Sequence, residues 1–142
     1  MIVPDVNLLV YAYDRDSPRQ AVASRWWEDL LGGRRTVGLA WTTVLGFIRL
    51  TTNRRVVSHP LPVAQANAHA RAWLAQPYVT LLHPGERHGE ILFGLLESLG
   101  TAGNLTTDAH LAALAIEHQA ELHSNNADFG RFPGLRHVNP LA

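Results

Sequence analysis

The chain contains no cysteine and no lysine. Without cysteine there is no disulfide, no thiolate nucleophile and no thiolate zinc site, so any metal must be held by oxygen or imidazole. All twelve basic residues are arginine, and they balance twelve acids to a formal charge of zero. That balance argues against a broadly basic nucleic-acid-binding surface. The guanidinium fork matches phosphate oxygens well, however, and local clusters such as Arg34-Arg35 and Arg49 with Arg54-Arg55 keep that chemistry available. No apolar run approaches the ~18 residues of a membrane helix. No basic leader precedes a hydrophobic stretch at the N-terminus, so a secretory signal is not expected. The expectation is a soluble, cytoplasmic protein.

What is present fits one globular domain over residues 1–142. With 142 residues, of which 46% are hydrophobic and 17% charged, the chain is long enough to bury about two-thirds of its unfolded surface. A first strand is expected over Met1 to Pro4, with turn and cap chemistry at Asp5-Val6-Asn7 opening a short helix through Leu8 to Tyr13. Ser17-Pro18 reads as N-cap and first position of a second helix, closed by Gly32-Gly33 near Leu31. A short β-like run, Thr36 to Ala40, leads into an apolar periodic stretch ending near Asn53. Further helices are expected over Val63 to Ala75, Gly85 to Leu99 and Thr107 to Gln119. Further strands are expected at Tyr78 to Leu82, Glu121 to Ser124 and Arg136 to Val138. Strands alternating with helices imply an α/β fold with a central parallel sheet covered on both faces.

In such sheets functional side chains collect at the carboxyl ends of strands and at the starts of the following helices. Asp5 lies just past the first strand, and Asp108 lies in the first turn of its helix. Each alone could be a turn or cap residue, since a carboxylate is favoured at a helix N-terminus. A third polar cluster, Ser124-Asn125-Asn126-Ala127-Asp128-Phe129, also follows a strand and could reach the same sheet edge. Crowded carboxylates repel one another, and a cluster of them suits a divalent cation, with Mg²⁺ or Mn²⁺ the natural choice for an all-oxygen site.

Four segments in register carry a resemblance: Asp5-Val6-Asn7-Leu8-Leu9-Val10-Tyr11-Ala12, Val44-Leu45-Gly46-Phe47-Ile48-Arg49-Leu50-Thr51-Thr52-Asn53, Thr107-Asp108-Ala109-His110-Leu111-Ala112-Ala113, and Asp128-Phe129-Gly130-Arg131-Phe132-Pro133-Gly134-Leu135. Together they cover nearly the whole chain, which resembles PIN-domain ribonucleases and, among these, the VapC-type toxins of bacterial toxin-antitoxin pairs. The resemblance implies a three-layer α/β/α fold and Mg²⁺- or Mn²⁺-dependent endonucleolytic cleavage of RNA. It also implies a cognate VapB-like antitoxin and a homodimer. Asp5 matches the first family acid and Asp108 the acid that opens the long helix. Asp128 matches the Asp before Phe in the closing motif. Asn7 falls where the family keeps a small polar residue near the metal, and Thr107 supports the site beside Asp108. On this reading Asp5 and Asp108 hold the ion, Asp128 orients it, and Asn126 ligates or hydrogen-bonds. A water activated at the metal then attacks the phosphodiester.

Two positions depart from the family pattern. Gly46 stands where many PIN nucleases carry Glu, and Asn126 stands where the other late acid is usual; Asn offers a neutral oxygen but removes a charge. A lower ligand charge predicts weaker cation affinity. It also leaves open an alternative, a catalytically silent PIN domain that binds RNA or a partner. Arg49 and Arg131 are candidate RNA-phosphate contacts, equally well placed to pair with surface acids. The eight histidines show no paired zinc-ligand spacing, and His110, two residues after Asp108, should point away from it.

Overall fold

The computed structural model describes residues 1–142. Five strands, β1 (Ile2–Pro4), β2 (Val37–Ala40), β3 (Val79–Leu82), β4 (Glu121–His123) and β5 (Arg136–Val138), form one sheet in the order β3-β2-β1-β4-β5, and every pairing is parallel. The helices are α1 (Val6–Tyr13), α2 (Gln20–Leu31), α3 (Trp41–Thr51), α4 (Val63–Leu74), α5 (His88–Leu99) and α6 (Thr106–Glu117). Short 3₁₀ turns cover Gly103–Leu105 and Ala127–Arg131.

The β1→β2→β3 crossovers step outward in one direction, whereas β3→β4 returns across the sheet to the far side of β1. Right-handed crossovers in opposite directions place their helices on opposite faces. One apolar core accordingly joins Leu9, Trp27, Phe47 and Trp73 from α1 to α4. The other joins Leu95, Leu111, Leu114 and Phe129 on the α5–α6 side. This is the three-layer α/β/α arrangement implied by the sequence. The central strand β1 is shielded from both sides, which is why Ile2-Val3-Pro4 is buried throughout and does not alternate. Helix α6 is buried from Ala109 to Ala115 apart from His110. Its alanines bring that helix close against the sheet and the Asp108 carboxylate close to β1.

Several element ends differ from the sequence expectation: α1 starts at Val6 and not Leu8, α5 starts at His88 and not Gly85, and α3 ends at Thr51, short of Asn53. Two further differences have a clear local reason. Helix α2 starts at Gln20, not at Pro18, because Ser17 forms a turn of its own: its Oγ accepts from the Arg19 amide (3.1 Å) and its carbonyl from the Gln20 amide (3.1 Å). Helix α6 stops at Glu117, short of Gln119, because Gln119 adopts a left-handed conformation (φ 56°) and the Ala120 amide closes back on the Ala115 carbonyl at 2.8 Å. Gln119 thus takes the helix-ending role that glycine fills more often.

Candidate active site

The direction of chain progression reverses at β1, so the crevice between the carboxyl ends of β1 and β4 is the topological switch point of the sheet. Asp5 is the first residue beyond β1. Its backbone is extended at the N-cap of α1, yet its side chain makes no capping hydrogen bond. The carboxylate turns instead to β4, where Ser124 Oγ donates to Asp5 Oδ2 at 2.8 Å. Both groups are buried, Asp5 being 5% and Ser124 0% exposed. The Ser124 hydroxyl also accepts from the Asn126 amide at 2.9 Å, so one oxygen ties the Asp5 carboxylate to the loop after β4.

Asp108 approaches from the other side, in the first turn of α6. It shares a small cavity of about 50 Å³ with Asp5, Val6, Thr42, Thr43, Thr107 and Leu111. That volume admits a cation with a few waters but no nucleotide, so a polymeric substrate would have to lie across the mouth. Burial, reinforced by the charges of Asp5 and Asp128, pushes the Asp108 carboxyl up to about 6. Asp5 is also raised by its burial, against the opposing pull of Ser124, the Val6 amide and the His137 charge. No arginine lines the cavity. The pocket therefore concentrates negative charge with no internal cation to balance it, an arrangement that otherwise costs stability.

The donor set fits a hard divalent cation: two carboxylates with the hydroxyls of Thr42, Thr43 and Thr107 nearby, all oxygen. No three Asp, Glu or His side chains draw together into a ready-made cage. An ion here would be held by few protein ligands and would keep much of its water.

The other residues singled out in the sequence occupy graded positions around this pocket. Asp128 couples electrostatically to Asp108 but stands at the rim, its side chain 49% exposed and 3.8 Å from Arg131. Asn126 turns its Oδ1 onto the Asp128 amide (3.0 Å) and caps the following 3₁₀ turn. Asn7, on the second residue of α1, lines a neighbouring groove. Arg49 is exposed in the last turn of α3. Gly46 is buried against α1, where an added Cβ would lie 3.1 Å from Val6 Cγ2. His110 pairs with His88 (3.0 Å) on α5, outside the pocket.

Three residues of the site carried no role in the sequence reading. Ser124 was visible only as part of a polar cluster, and Thr42-Thr43 only as a lead into a helix. The positional rule that found Asp5 would have found them too, because Ser124 follows β4 and Thr42-Thr43 follow β2 almost directly. Behind Ser124, Trp26 Nε1 donates to His123 Nδ1 (3.1 Å), and His123 Nε2 meets Glu121 Oε1 (3.0 Å). With Nδ1 accepting, the proton lies on Nε2, and β4 is anchored to α2 where it presents Ser124.

Comparison with known proteins places this geometry in a family. The PIN domain profile matches residues 2–135. Ribonuclease VapC33 of Mycobacterium tuberculosis is 48% identical over 141 residues, covering 99% of each chain. Ribonuclease VapC37 of the same organism is 42% identical over 142 residues, covering 100% of this chain and 99% of that protein. Among solved structures, VapBC-1 from nontypeable Haemophilus influenzae superposes with a TM-score of 0.70 over 100% of both chains at 20% identity, a likeness of fold. This chain belongs to the PIN-domain family and, within it, to the VapC ribonucleases.

Proposed function

We propose that this chain is the toxin of a VapBC-type pair, an endoribonuclease that acts with a divalent metal, Mg²⁺ or Mn²⁺, bound in the Asp5–Asp108 pocket. The observation that carries the reading is the uncompensated pair of carboxylates at the switch point, with Asp108 raised to about 6. Asp5 and Asp108 would hold the ion, with Asp128 acting from the rim and Asn126 shaping the loop or offering its oxygen. When bound, the cation supplies Lewis-acid stabilisation of charge on the scissile phosphate and acidifies a water. Mg²⁺ suits a site with few protein ligands, since it gives up its waters reluctantly.

The chain's own groups do the remaining work. Ser124 fixes one oxygen of Asp5 and leaves the other for the pocket. Thr42, Thr43 and Thr107 line the pocket with hydroxyls that can orient water. Arg131, 3.8 Å from Asp128, would meet a substrate phosphate, with Arg49 on α3 as a further candidate contact. The whole of residues 1–142 acts as one domain, in the cytoplasm, as a homodimer neutralised by a VapB-like antitoxin. No helix is long and apolar enough to cross a membrane.

The test is cleavage of a total-RNA pool by purified protein across a series of divalent-cation concentrations. Asp5→Asn and Asp108→Asn should each abolish cleavage at every concentration. If either variant cuts as the wild type does, the assignment is wrong. If the wild type binds RNA but never cuts it, the silent-domain alternative takes its place.

A further inference from the structure

A second and larger groove is walled on one side by α1, the helix that opens directly after Asp5. It has a volume of about 370 Å³ and runs between α1, the turn into α2 and the loop joining α3 to α4; Asn7, Tyr11, Pro18, Arg19, Val56 and Ser58 are among its lining residues. On the α1 side its wall is Asn7, Val10, Tyr11 and Asp14. These stand at i, i+3, i+4 and i+7 and so share one helical face. That stripe extends about 10 Å from beside Asp5 at 1.5 Å rise per residue, the span of one or two nucleotides of single-stranded RNA.

The groove has a mixed character that an antagonist of phosphate alone would not need. Tyr11 is half-buried and Arg19 lies over its ring, with Cζ 5.3 Å from the centroid. The pair offers a flat aromatic and cationic surface that is already ordered. Val56, 48% exposed, faces water from the opposite wall. Its loop also carries Arg54 and Arg55, and with Arg15, Arg19 and Arg49 nearby in the chain none makes an ion pair. The two acids of the lining are already engaged: Asp14 Oδ1 accepts from the Asp16 amide (3.0 Å), and Asp16 Oδ2 meets His59 Nδ1 (2.6 Å). The His59–Asp16 contact also links the α3–α4 loop to the α1–α2 turn. Apolar and aromatic surface, an arginine free of any ion pair and a wall formed by the helix that follows Asp5 are together the features of a stacking platform for a base.

We infer that this groove is a nucleobase subsite, in which an unpaired base one or two nucleotides from the scissile phosphate stacks against Tyr11 and Arg19. The inference rests on the ribonuclease reading of the adjoining pocket. It makes the enzyme selective for single-stranded RNA with a base preference at a fixed offset from the cut.

Binding is measured with the Asp5→Asn protein, which holds RNA without cutting it, using fluorescein-labelled single-stranded A, C, G and U homopolymers. Arg19→Ala and Tyr11→Leu in that background should each weaken binding to the preferred homopolymer by about tenfold, the scale of losing one stacked base. Tyr11→Phe keeps the ring and should bind normally, while Arg19→Lys keeps the charge but not the plane and should recover only part of the loss. With the Asp5-intact enzyme, sequencing of cleavage ends should show the base preference beside the cut flattened in Arg19→Ala. Arg19 is exposed, so that variant reports even if Tyr11→Leu folds poorly. Unchanged RNA affinity in Arg19→Ala, or full rescue by Arg19→Lys, would overturn the inference. So would variants that keep RNA but lose the antitoxin, which would assign the groove to the protein partner. An active wild type with unaltered variants sinks the groove alone, whereas a wild type inert with every divalent cation sinks the catalytic reading and this one together.

Discussion

Replacing the carboxylate of Asp108 by an amide should make the metal-free protein more stable while destroying its activity. Asp108 titrates near 6 in the fold against an ordinary value of 3.8, a rise that corresponds to about 3 kcal/mol at face value. Asp108 is only half-buried, and solvent screening reduces the figure to about 1.5 kcal/mol. The sign follows from proton uptake: between about 4 and 6 the folded state holds the proton that the unfolded chain has lost. Wild-type stability therefore falls as pH rises through that window and levels off above it. Asp108→Asn has no such proton to lose. In EDTA the two proteins should melt together near pH 4, and the variant should melt about 3 to 6 °C higher near pH 7.5. Saturating divalent cation should reverse the order, because a ligand at a hundred times its Kd adds about 2.7 kcal/mol to a protein that binds it and the variant has lost a ligand. The assay is differential scanning fluorimetry across pH, with EDTA or with Mg²⁺. A variant less stable than wild type in EDTA at pH 7.5, or a gap that does not close on acidification, would refute the claim that the pocket holds uncompensated charge.

Other substitutions probe the supports of the site. Ser124→Ala removes the donor to Asp5 and the acceptor for the Asn126 amide, both inside the fold. It should cost about 1–3 kcal/mol in chemical denaturation and raise the metal concentration needed for cleavage, with Ser124→Thr restoring both. Gly46→Glu supplies the acid that many PIN nucleases carry, but its Cβ would sit 3.1 Å from Val6 Cγ2, and Val6 borders the acidic pocket. Its melting temperature in EDTA should drop below the wild type's, and added Mg²⁺ should recover part of the loss if the new carboxylate joins the site. Gly38→Ala should destabilise by about 1–3 kcal/mol through overpacking, because the new Cβ meets Leu82 Cγ at 2.8 Å and Met1 Sδ at 3.0 Å. Gly38 does not line the acidic pocket, so the change should leave the cation dependence of cleavage unchanged.

Local signals along the chain set the kinds of element and most of their order. Short apolar runs at Ile2–Pro4 and Val37–Ala40, the Ala/Leu periodicity of α6 and the turn chemistry between them are local signals, and the structure has strands and helices there. The positions of Asp5 after a strand and Asp108 at a helix start were legible for the same reason. Ends that depend on a single side chain or dihedral were not: the Ser17 turn and the left-handed Gln119 each moved a boundary by two residues. The neighbours of the acids, by contrast, come from the packing of distant segments. Placing β4 beside β1 brought Ser124 onto Asp5 across 119 residues of chain and Trp26 onto His123 across 97. The same strand order set Asp108 where burial and two other carboxylates raise it to about 6. Hydrophobic period and capping act over a few residues and can be read along the chain, but the field at a carboxylate depends on which strands are neighbours and how deeply the site is buried. Those are properties of the assembled sheet, and they bring a cap residue and a first-turn residue into one acidic pocket.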